Sequence, residues 1–228
     1  MRASYQKDLS VQASYLLKGD AAHHLANVVR VEPNEEILLL NGAGLQVKAT
    51  VTAVSRREVV LTKLSDIQVT RRFDFDLALG IPKKEALELS LKQAVELGFR
   101  KIYLIRSLYS QTRLPVAERL ESLLVSALEQ SNSAFMPELV TLSWTEIPHQ
   151  DYAEIMMLDS QNQTQDKLLK GPGDRLLIVG PEGGFSPEEI SLLHQWPRIK
   201  KLNLPTPILR TPTAVAAGAG ILLGSLLD

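Results

Sequence analysis

The chain has 228 residues, of which 45% are hydrophobic, and its formal net charge is -1. This composition is ordinary for a globular protein and supplies apolar residues for one large domain or two smaller ones. Because the chain contains no cysteine, disulfides, thiolate catalysis and cysteine metal sites are excluded.

The sequence also lacks the features of a membrane or exported protein. No apolar run approaches the ~20 residues that a membrane span needs, and the N-terminal residues lack the apolar core of a signal peptide. We therefore expect a cytoplasmic protein with no membrane association. The near-zero net charge means that any binding of nucleic acid must depend on a local patch.

The first part of the chain is rich in predicted β-strands. Residues 36–40, 47–54 and 58–64 each read as a strand, and the Asn-Gly-Ala-Gly sequence at 41–44 is a strong turn signal. One short helix is predicted over 20–29, with Asp20 as its N-cap. Several short strands at regular spacing predict a small barrel, and we assign it to residues 1–69.

From about residue 70 onward, predicted strands alternate with predicted helices. This alternation is typical of a parallel α/β domain, which we assign to residues 70–228. The strands are predicted at 75–81, 102–105, 155–159, 176–179 and 199–204, and the helices at 83–97, 116–130, 186–196 and from 213 onward.

The stretch 176–213 carries the clearest functional signal. A buried strand is followed by the turn Gly-Pro-Glu-Gly-Gly-Phe at 180–185. Ser186, Pro187 and Glu189 then form a strong helix start with a capping box. A second strand leads into the loop 205–212. In open α/β sheets, ligands bind at loops that leave the carboxyl ends of strands, and we therefore predict a ligand site formed by these two loops.

The last predicted helix, 214–224, is rich in alanine and glycine. Each glycine costs ~1 kcal/mol relative to alanine inside a helix, so close packing must compensate. The helix is either a buried core helix alone or a core helix that also forms part of a dimer interface.

Several motifs together resemble a known family. They are the Gly-Pro-Glu-Gly-Gly turn at 180–184, the Ile-Leu-Arg-Thr loop at 208–211, the Lys-Gln-Ala-Val-Glu-Leu-Gly segment at 92–98, and His24-Leu25 with Arg30 in the N-terminal part. With these motifs the chain resembles the small-subunit (16S) ribosomal RNA uracil-N3-methyltransferases of the SPOUT (α/β-knot) superfamily. The resemblance covers nearly the whole chain.

The resemblance implies a particular fold and cofactor. The fold class would be α/β, with a C-terminal SPOUT trefoil-knot methyltransferase domain around a parallel sheet and a small N-terminal PUA-like β-barrel. The cofactor would be S-adenosylmethionine. The cofactor-binding residues carried over from the family are Leu158, Gly180, Pro181, Glu182, Gly183, Gly184, Leu202, Leu204, Ile208, Leu209 and Thr211.

The resemblance also implies methylation of N3 of a specific uridine in small-subunit ribosomal RNA by a homodimer. Arg210 is the catalytic candidate, through contact with the uracil or an adjacent phosphate; its structural alternative is an ion pair that holds the loop. For Glu182 we favour a structural role, because a carboxylate before a helix commonly accepts backbone N–H groups. His24 and Arg30 are candidate RNA contacts. We expect no metal site, because His149 and His194 are far apart in the sequence and no cysteine or carboxylate cluster accompanies them at ligand spacing.

Three prolines depart from the family pattern. Pro205, Pro207 and Pro212 stand where the family has a glycine, an arginine and a glutamate. Each proline removes an N–H donor and fixes φ. An alternative function is therefore a catalytically silent or differently targeted RNA-binding protein on the same knotted scaffold.

Overall fold

The computed structural model describes residues 1–110, 113–159, 166, 169–171 and 173–227. The chain forms two compact units. The first consists of Met1–Arg71 and Leu124–Met136, and the second of Arg72–Leu123 and Pro137–Asp228. The domain boundary at residue 69 stays a prediction.

The first unit is built on a curled mixed sheet. Its strands are β1 (Arg2–Tyr5), β2 (Ser14–Lys18), β3 (Glu36–Leu40), β4 (Leu45–Val54) and β5 (Glu58–Gln68). They lie in the order β1-β3-β4-β5-β2, in which only the β1–β3 pair is parallel. Two register shifts along β4 and β5 mark irregular pairing that bends the sheet. The predicted small β-barrel is confirmed as a curled half-barrel.

The predicted helix over 20–29 is only partly correct. Helix α1 spans Gly19–His23 and passes directly into a π-helical turn, His24–Val29, which ends at Arg30 in the left-handed region. Asp20 lies inside the first turn and does not cap the helix; the N-cap is Lys18, which makes no side-chain capping bond. The prediction of Asp20 as the cap was therefore wrong.

The second unit is an all-parallel α/β fold, as predicted. Six strands lie in the order β11-β9-β10-β6-β7-β8. They are β6 (Phe75–Gly80), β7 (Lys101–Ile105), β8 (Glu138–Leu142), β9 (Glu154–Leu158), β10 (Arg175–Val179) and β11 (Ile199–Leu202). The helices of this part of the chain are α2 (Lys84–Glu96), α3 (Ala117–Ser131), α4 (Pro187–His194) and α5 (Thr211–Gly224), and α3 continues into the segment Leu124–Met136 of the first unit.

The strand order places the functional loops together. After β10 the chain forms α4 and then β11, which pairs with β9 on the side away from β10. Helix α5 then packs against α2, β9 and β10. Gly218 in α5 makes this packing close, because a Cβ there would lie 2.8 Å from Leu177 Cδ1. The core reading of the final helix is therefore confirmed. The predicted knot includes the connection between β9 and β10, of which residues 160–165, 167, 168 and 172 lie outside the described residues.

A buried arginine fixes the C-terminal end of α5. Arg175 in β10 is 1% exposed and donates hydrogen bonds to the Leu169 carbonyl at 3.0 Å, the Gly171 carbonyl at 2.6 Å and the Ser225 hydroxyl. Its Nε lies 3.7 Å from the buried Glu154 carboxylate. This cluster joins β9, β10, the segment before β10 and the end of the last helix at one point.

Candidate active site

The candidate site is a cavity of about 290 Å³ at the carboxyl edge of the parallel sheet. It lies where the neighbouring strands β11, β9 and β10 end, and the residues that follow these strands form its walls. The first residues of α5 close one side. The structure therefore brings the two predicted loops together at the position where open α/β sheets bind ligands.

Every predicted cofactor-binding residue lines this cavity. Residues 158, 180–184, 202, 204, 208, 209 and 211 are all part of its wall, although the strands that carry them are separated by up to 40 residues of sequence. The leucines and Ile208 give the cavity apolar walls, and the loop backbones supply polar groups. Ile208 is 89% exposed, so it forms an open rim.

The turn after β10 has little tolerance for side chains. A Cβ on Gly183 would lie 2.7 Å from the Cβ of Tyr109, which is closer than real Cβ atoms approach. Gly184 has φ +73°, which favours glycine. The Thr211 hydroxyl donates to the Gly180 carbonyl at 3.2 Å and so joins this turn to the start of α5.

The predicted capping box of α4 is confirmed. The Ser186 hydroxyl accepts the Glu189 N–H at 3.2 Å, and the Glu189 carboxylate accepts the Ser186 N–H at 2.8 Å. Pro187 occupies the first helical turn, where its missing N–H carries no cost. The cap fixes the direction in which the chain leaves the glycine-rich turn.

Glu189 has a second role that the sequence did not reveal. Its Oε1 also accepts hydrogen bonds from the Ser107 hydroxyl at 2.7 Å, the Leu108 N–H at 3.0 Å and the Trp144 Nε1–H at 3.0 Å. Partial burial raises the pKa of Glu189, but these bonds and the Ser186 N–H outweigh burial and hold the pKa below its ordinary value. One carboxylate thus joins the loop after β7 to the turn after β10.

Glu182 satisfies backbone donors, as its structural reading predicts. Both carboxylate oxygens lie 3.1 Å from the Lys83 N–H at the start of α2. A negative charge at this position also interacts favourably with the helix N-terminus. Glu182 therefore links the cavity turn to the loop after β6.

Arg210 stands beside the cavity as the N-cap residue of α5, and its side chain is exposed. Within the described part of the chain, its guanidinium has neither an ion-pair nor a hydrogen-bond partner. This observation removes the alternative in which Arg210 holds the loop through an ion pair with the described residues. The guanidinium is available to contact a ligand.

The three prolines occupy different environments. Pro212 is buried in the first turn of α5, where a proline is well tolerated. Pro205 and Pro207 are exposed in the loop, and the Thr206 N–H between them donates to the Leu204 carbonyl at 2.7 Å. Pro207 lines the cavity but has no N–H to offer a ligand.

His24 and Arg30 belong to the first unit. His24 Nε2 lies 4.0 Å from Glu129 Oε2, and the other oxygen of Glu129 accepts the Tyr5 N–H at 2.8 Å. Arg30 is exposed, and its carbonyl accepts a hydrogen bond from Arg2 at 3.2 Å. His24 is the first residue of the π-helical turn and Arg30 follows its last residue. Such turns are often associated with functional sites.

The described residues contain neither a candidate metal cluster nor a candidate membrane-spanning helix. Among them, no group of three or more histidine, aspartate or glutamate side chains could hold a metal ion. No helix in the same ranges is long and apolar enough to cross a bilayer.

Comparison with known proteins gives two family matches. The sequence model of the RNA methyltransferase domain matches residues 70–223, and that of the RNA methyltransferase PUA domain matches residues 17–64. The chain is 27% identical over 216 residues to a ribosomal RNA small subunit methyltransferase E of Rickettsia conorii, covering 89% of this chain and 87% of the relative. It is 23% identical to the protein of the same name from Bacillus subtilis, covering 88% and 86%.

Solved structures give the same result for the fold. A protein from Legionella pneumophila, described as a methyltransferase in complex with the bound cofactor S-adenosylmethionine, superposes with a TM-score of 0.85 at 25% identity, over 98% of this chain and 97% of that one. A ribosomal RNA small subunit methyltransferase E from Neisseria gonorrhoeae, bound to S-adenosylmethionine, gives 0.82 at 22% identity, over 98% and 97%.

Proposed function

Because this chain belongs to the RNA methyltransferase family, within the small-subunit ribosomal RNA methyltransferases E, we propose that it transfers a methyl group from S-adenosylmethionine to RNA. The proposed acceptor is N3 of a uridine in small-subunit ribosomal RNA. The observation that carries the proposal is the cavity at the carboxyl edge of the sheet, in which all the predicted cofactor residues meet.

The residues of the cavity fit S-adenosylmethionine. A volume of about 290 Å³ is close to the ~300 Å³ at which small-ligand pockets begin. The apolar side chains of Leu158, Leu204 and Leu209 offer walls for an adenine ring. The backbone groups of residues 180–184 offer hydrogen bonds at a turn that glycine keeps free of side chains. The homologous structures from Legionella and Neisseria contain this cofactor.

The cofactor supplies an electrophilic methyl group on a sulfonium sulfur. The chain has to hold the uracil in line with that methyl group and stabilise the negative charge that spreads onto the uracil oxygens when N3 gives up its proton to water. N3 then takes the methyl group, and the sulfur departs as a neutral thioether. Arg210 is the candidate for this electrostatic role, because its guanidinium is exposed beside the cavity with no partner among the described residues. The Glu182 carboxylate accepts the Lys83 N–H and so supports the glycine-rich turn.

The first unit is the candidate for wider RNA contact. It contains the region that matches the RNA methyltransferase PUA domain, and its π-helical turn begins at His24 and ends before Arg30. The expectation of a homodimer also stays part of the proposal, and light scattering of the purified protein tests it.

The decisive experiment measures methyl transfer from labelled S-adenosylmethionine to small ribosomal subunits that lack the native modification. The RNA is digested and its nucleosides are identified by mass. We expect 3-methyluridine at a single site. Methylation of a different base or position would overturn the assignment to uridine N3.

The same experiment separates the alternative function. If S-adenosylmethionine binds but no subunit is methylated, the protein acts on another RNA. If S-adenosylmethionine does not raise the melting temperature either, the protein is a catalytically silent RNA-binding protein, because a ligand that binds only the native state must stabilise it.

A further inference from the structure

The loops that follow β6 and β7 lie beside the glycine-rich turn of the cavity. We refer to Lys83, Arg106 and Tyr109 on these loops as the rim. β6 and β7 are neighbours, with Gly80 paired with Ile105, and the Ile81 N–H donates to the Ile105 carbonyl at 2.8 Å. Arg106 follows β7 directly and Lys83 follows β6 by three residues. Because β6 also pairs with β10, the residues after β6 and β7 leave the same edge of the sheet as the glycine-rich turn of the cavity.

An exposed aromatic ring lies at this rim. Tyr109 is 43% exposed, and its Cβ would be 2.7 Å from a Cβ placed on Gly183. The tyrosine therefore rests directly on the backbone of a turn that lines the cavity. Leu108 beside it is 67% exposed. Exposed aromatic rings at a ligand site are the usual means by which proteins stack unpaired bases.

The loop that carries Tyr109 is held in place. Glu189 accepts the Ser107 hydroxyl and the Leu108 N–H, and Ser107 and Ser110 form a tight turn through an N–H to hydroxyl bond of 3.1 Å and an N–H to carbonyl bond of 3.0 Å. Because the backbone on both sides is anchored, Tyr109 needs little further ordering when it contacts a ligand.

Two basic side chains at the rim are available to a ligand. Three other cations of the second unit, Arg100, Lys101 and Arg119, form ion pairs. Lys83 and Arg106 are exposed, and neither side chain has an ion-pair or hydrogen-bond partner within the described ranges. Exposed cations on the loops next to an exposed ring suit a single strand of RNA, which offers both phosphates and bases.

We propose that this rim binds the single-stranded RNA segment that contains the target base, with the Tyr109 ring stacking on a base and with Lys83 and Arg106 contacting the backbone phosphates. The inference rests on the proposed function, because it assumes that RNA approaches the cofactor cavity. In this proposal Tyr109 makes the contact with a base, and the phosphate contacts lie in the second unit.

The test is the binding of a labelled single-stranded RNA that contains uridines, titrated at several salt concentrations without S-adenosylmethionine. We expect Tyr109→Ala to weaken binding about tenfold and Tyr109→Phe, which keeps the ring, to stay within about twofold. Lys83→Gln and Arg106→Gln should each reduce the salt slope of log K by about 0.7, the value for one phosphate of a single strand. The matched control is Lys92→Gln, about two and a half helical turns from Lys83 along α2, which should change neither quantity.

The affinity of every variant for S-adenosylmethionine is measured separately and should stay within about twofold of the parent. That result would show that the fold and the cavity are intact. An unchanged RNA affinity in Tyr109→Ala, or unchanged salt slopes in both charge variants, would overturn the rim proposal. If the parent fails to bind S-adenosylmethionine, the proposed enzyme function fails, whereas the RNA titration still decides the rim.

Discussion

The Glu189 carboxylate accepts a hydrogen bond from the Ser107 hydroxyl at 2.7 Å, and this bond joins the helix that follows the glycine-rich turn to the loop that follows β7. The two residues are 82 positions apart in the sequence. Since the same carboxylate caps α4, the helix start and the neighbouring loop have to move together.

The role of Glu189 can be tested by its removal. Glu189→Ala leaves the N–H groups of Ser186, Leu108 and Trp144 without their acceptor, and we expect the free energy of unfolding to fall by about 2–3 kcal/mol. The neighbouring Glu188→Ala, at an exposed position, should lower the free energy of unfolding much less. Urea denaturation of the two variants measures both values, and equal losses would contradict a special role for Glu189.

The lowered pKa of Glu189 predicts a pH dependence. A carboxyl whose pKa is lower in the folded state than in the unfolded state stabilises the fold at pH values above its ordinary pKa of 4.5, and this contribution is lost as the pH falls through the folded value. The stability advantage of the parent over Glu189→Gln should therefore be constant near neutral pH and shrink below pH 4.5. Denaturation curves at several pH values test this, and an advantage that grows on acidification would contradict it.

Adding one methyl group at Gly183 in the glycine-rich turn should weaken the binding of S-adenosylmethionine. In Gly183→Ala the new Cβ would collide with Tyr109, so the turn or the tyrosine has to shift. We expect the affinity for S-adenosylmethionine to fall about tenfold, because small displacements of a binding loop are costly. Gly220→Ala is the control, since a Cβ there meets nothing within 4 Å. Calorimetric titration gives both affinities, and the proposal for this turn fails if the two variants bind equally well.

The buried pair of Arg175 and Glu154 predicts a large effect on stability. Arg175→Met removes the donors to the Leu169 and Gly171 carbonyls and leaves Glu154 buried without its counter-charge. We expect a loss of about 3–5 kcal/mol, and partial recovery in Arg175→Met with Glu154→Gln, because the second change removes the uncompensated charge. Guanidinium denaturation of the single and double variants measures the difference. A double variant less stable than the single one would contradict the explanation.

Arg210 is the residue whose removal should separate catalysis from binding. We expect Arg210→Ala to lower methyl transfer by a factor of at least about 100, as the loss of one stabilising donor does in other enzymes, while the affinity for S-adenosylmethionine stays within a few-fold. Arg210→Lys should recover only part of the activity, because it keeps the charge without the two-pronged geometry. Full activity in Arg210→Ala would remove this residue from the mechanism.

The sequence alone determined the local structure of the second unit. The capping box of Ser186 and Glu189, the glycine at 98 that ends α2 and the alternation of strands with helices all depend on signals within about ten residues. The two motif loops likewise contain eight of the eleven predicted cofactor residues, all of which line the cavity. The strand β8 was missed because it is an edge strand with mostly half-exposed residues, so its hydrophobic pattern is weak.

Only the tertiary structure decided which of these pieces are neighbours. The order β11-β9-β10 brings the carboxyl ends of these three strands together at the cavity. The segment Leu124–Met136 belongs to the first unit, and Tyr109 rests on Gly183. The bonds of Glu189 to Ser107, Leu108 and Trp144 span 45 to 82 residues. No periodicity or cap encodes such contacts, because strand order and long-range hydrogen bonds depend on how whole elements pack and which polar groups then lack a partner.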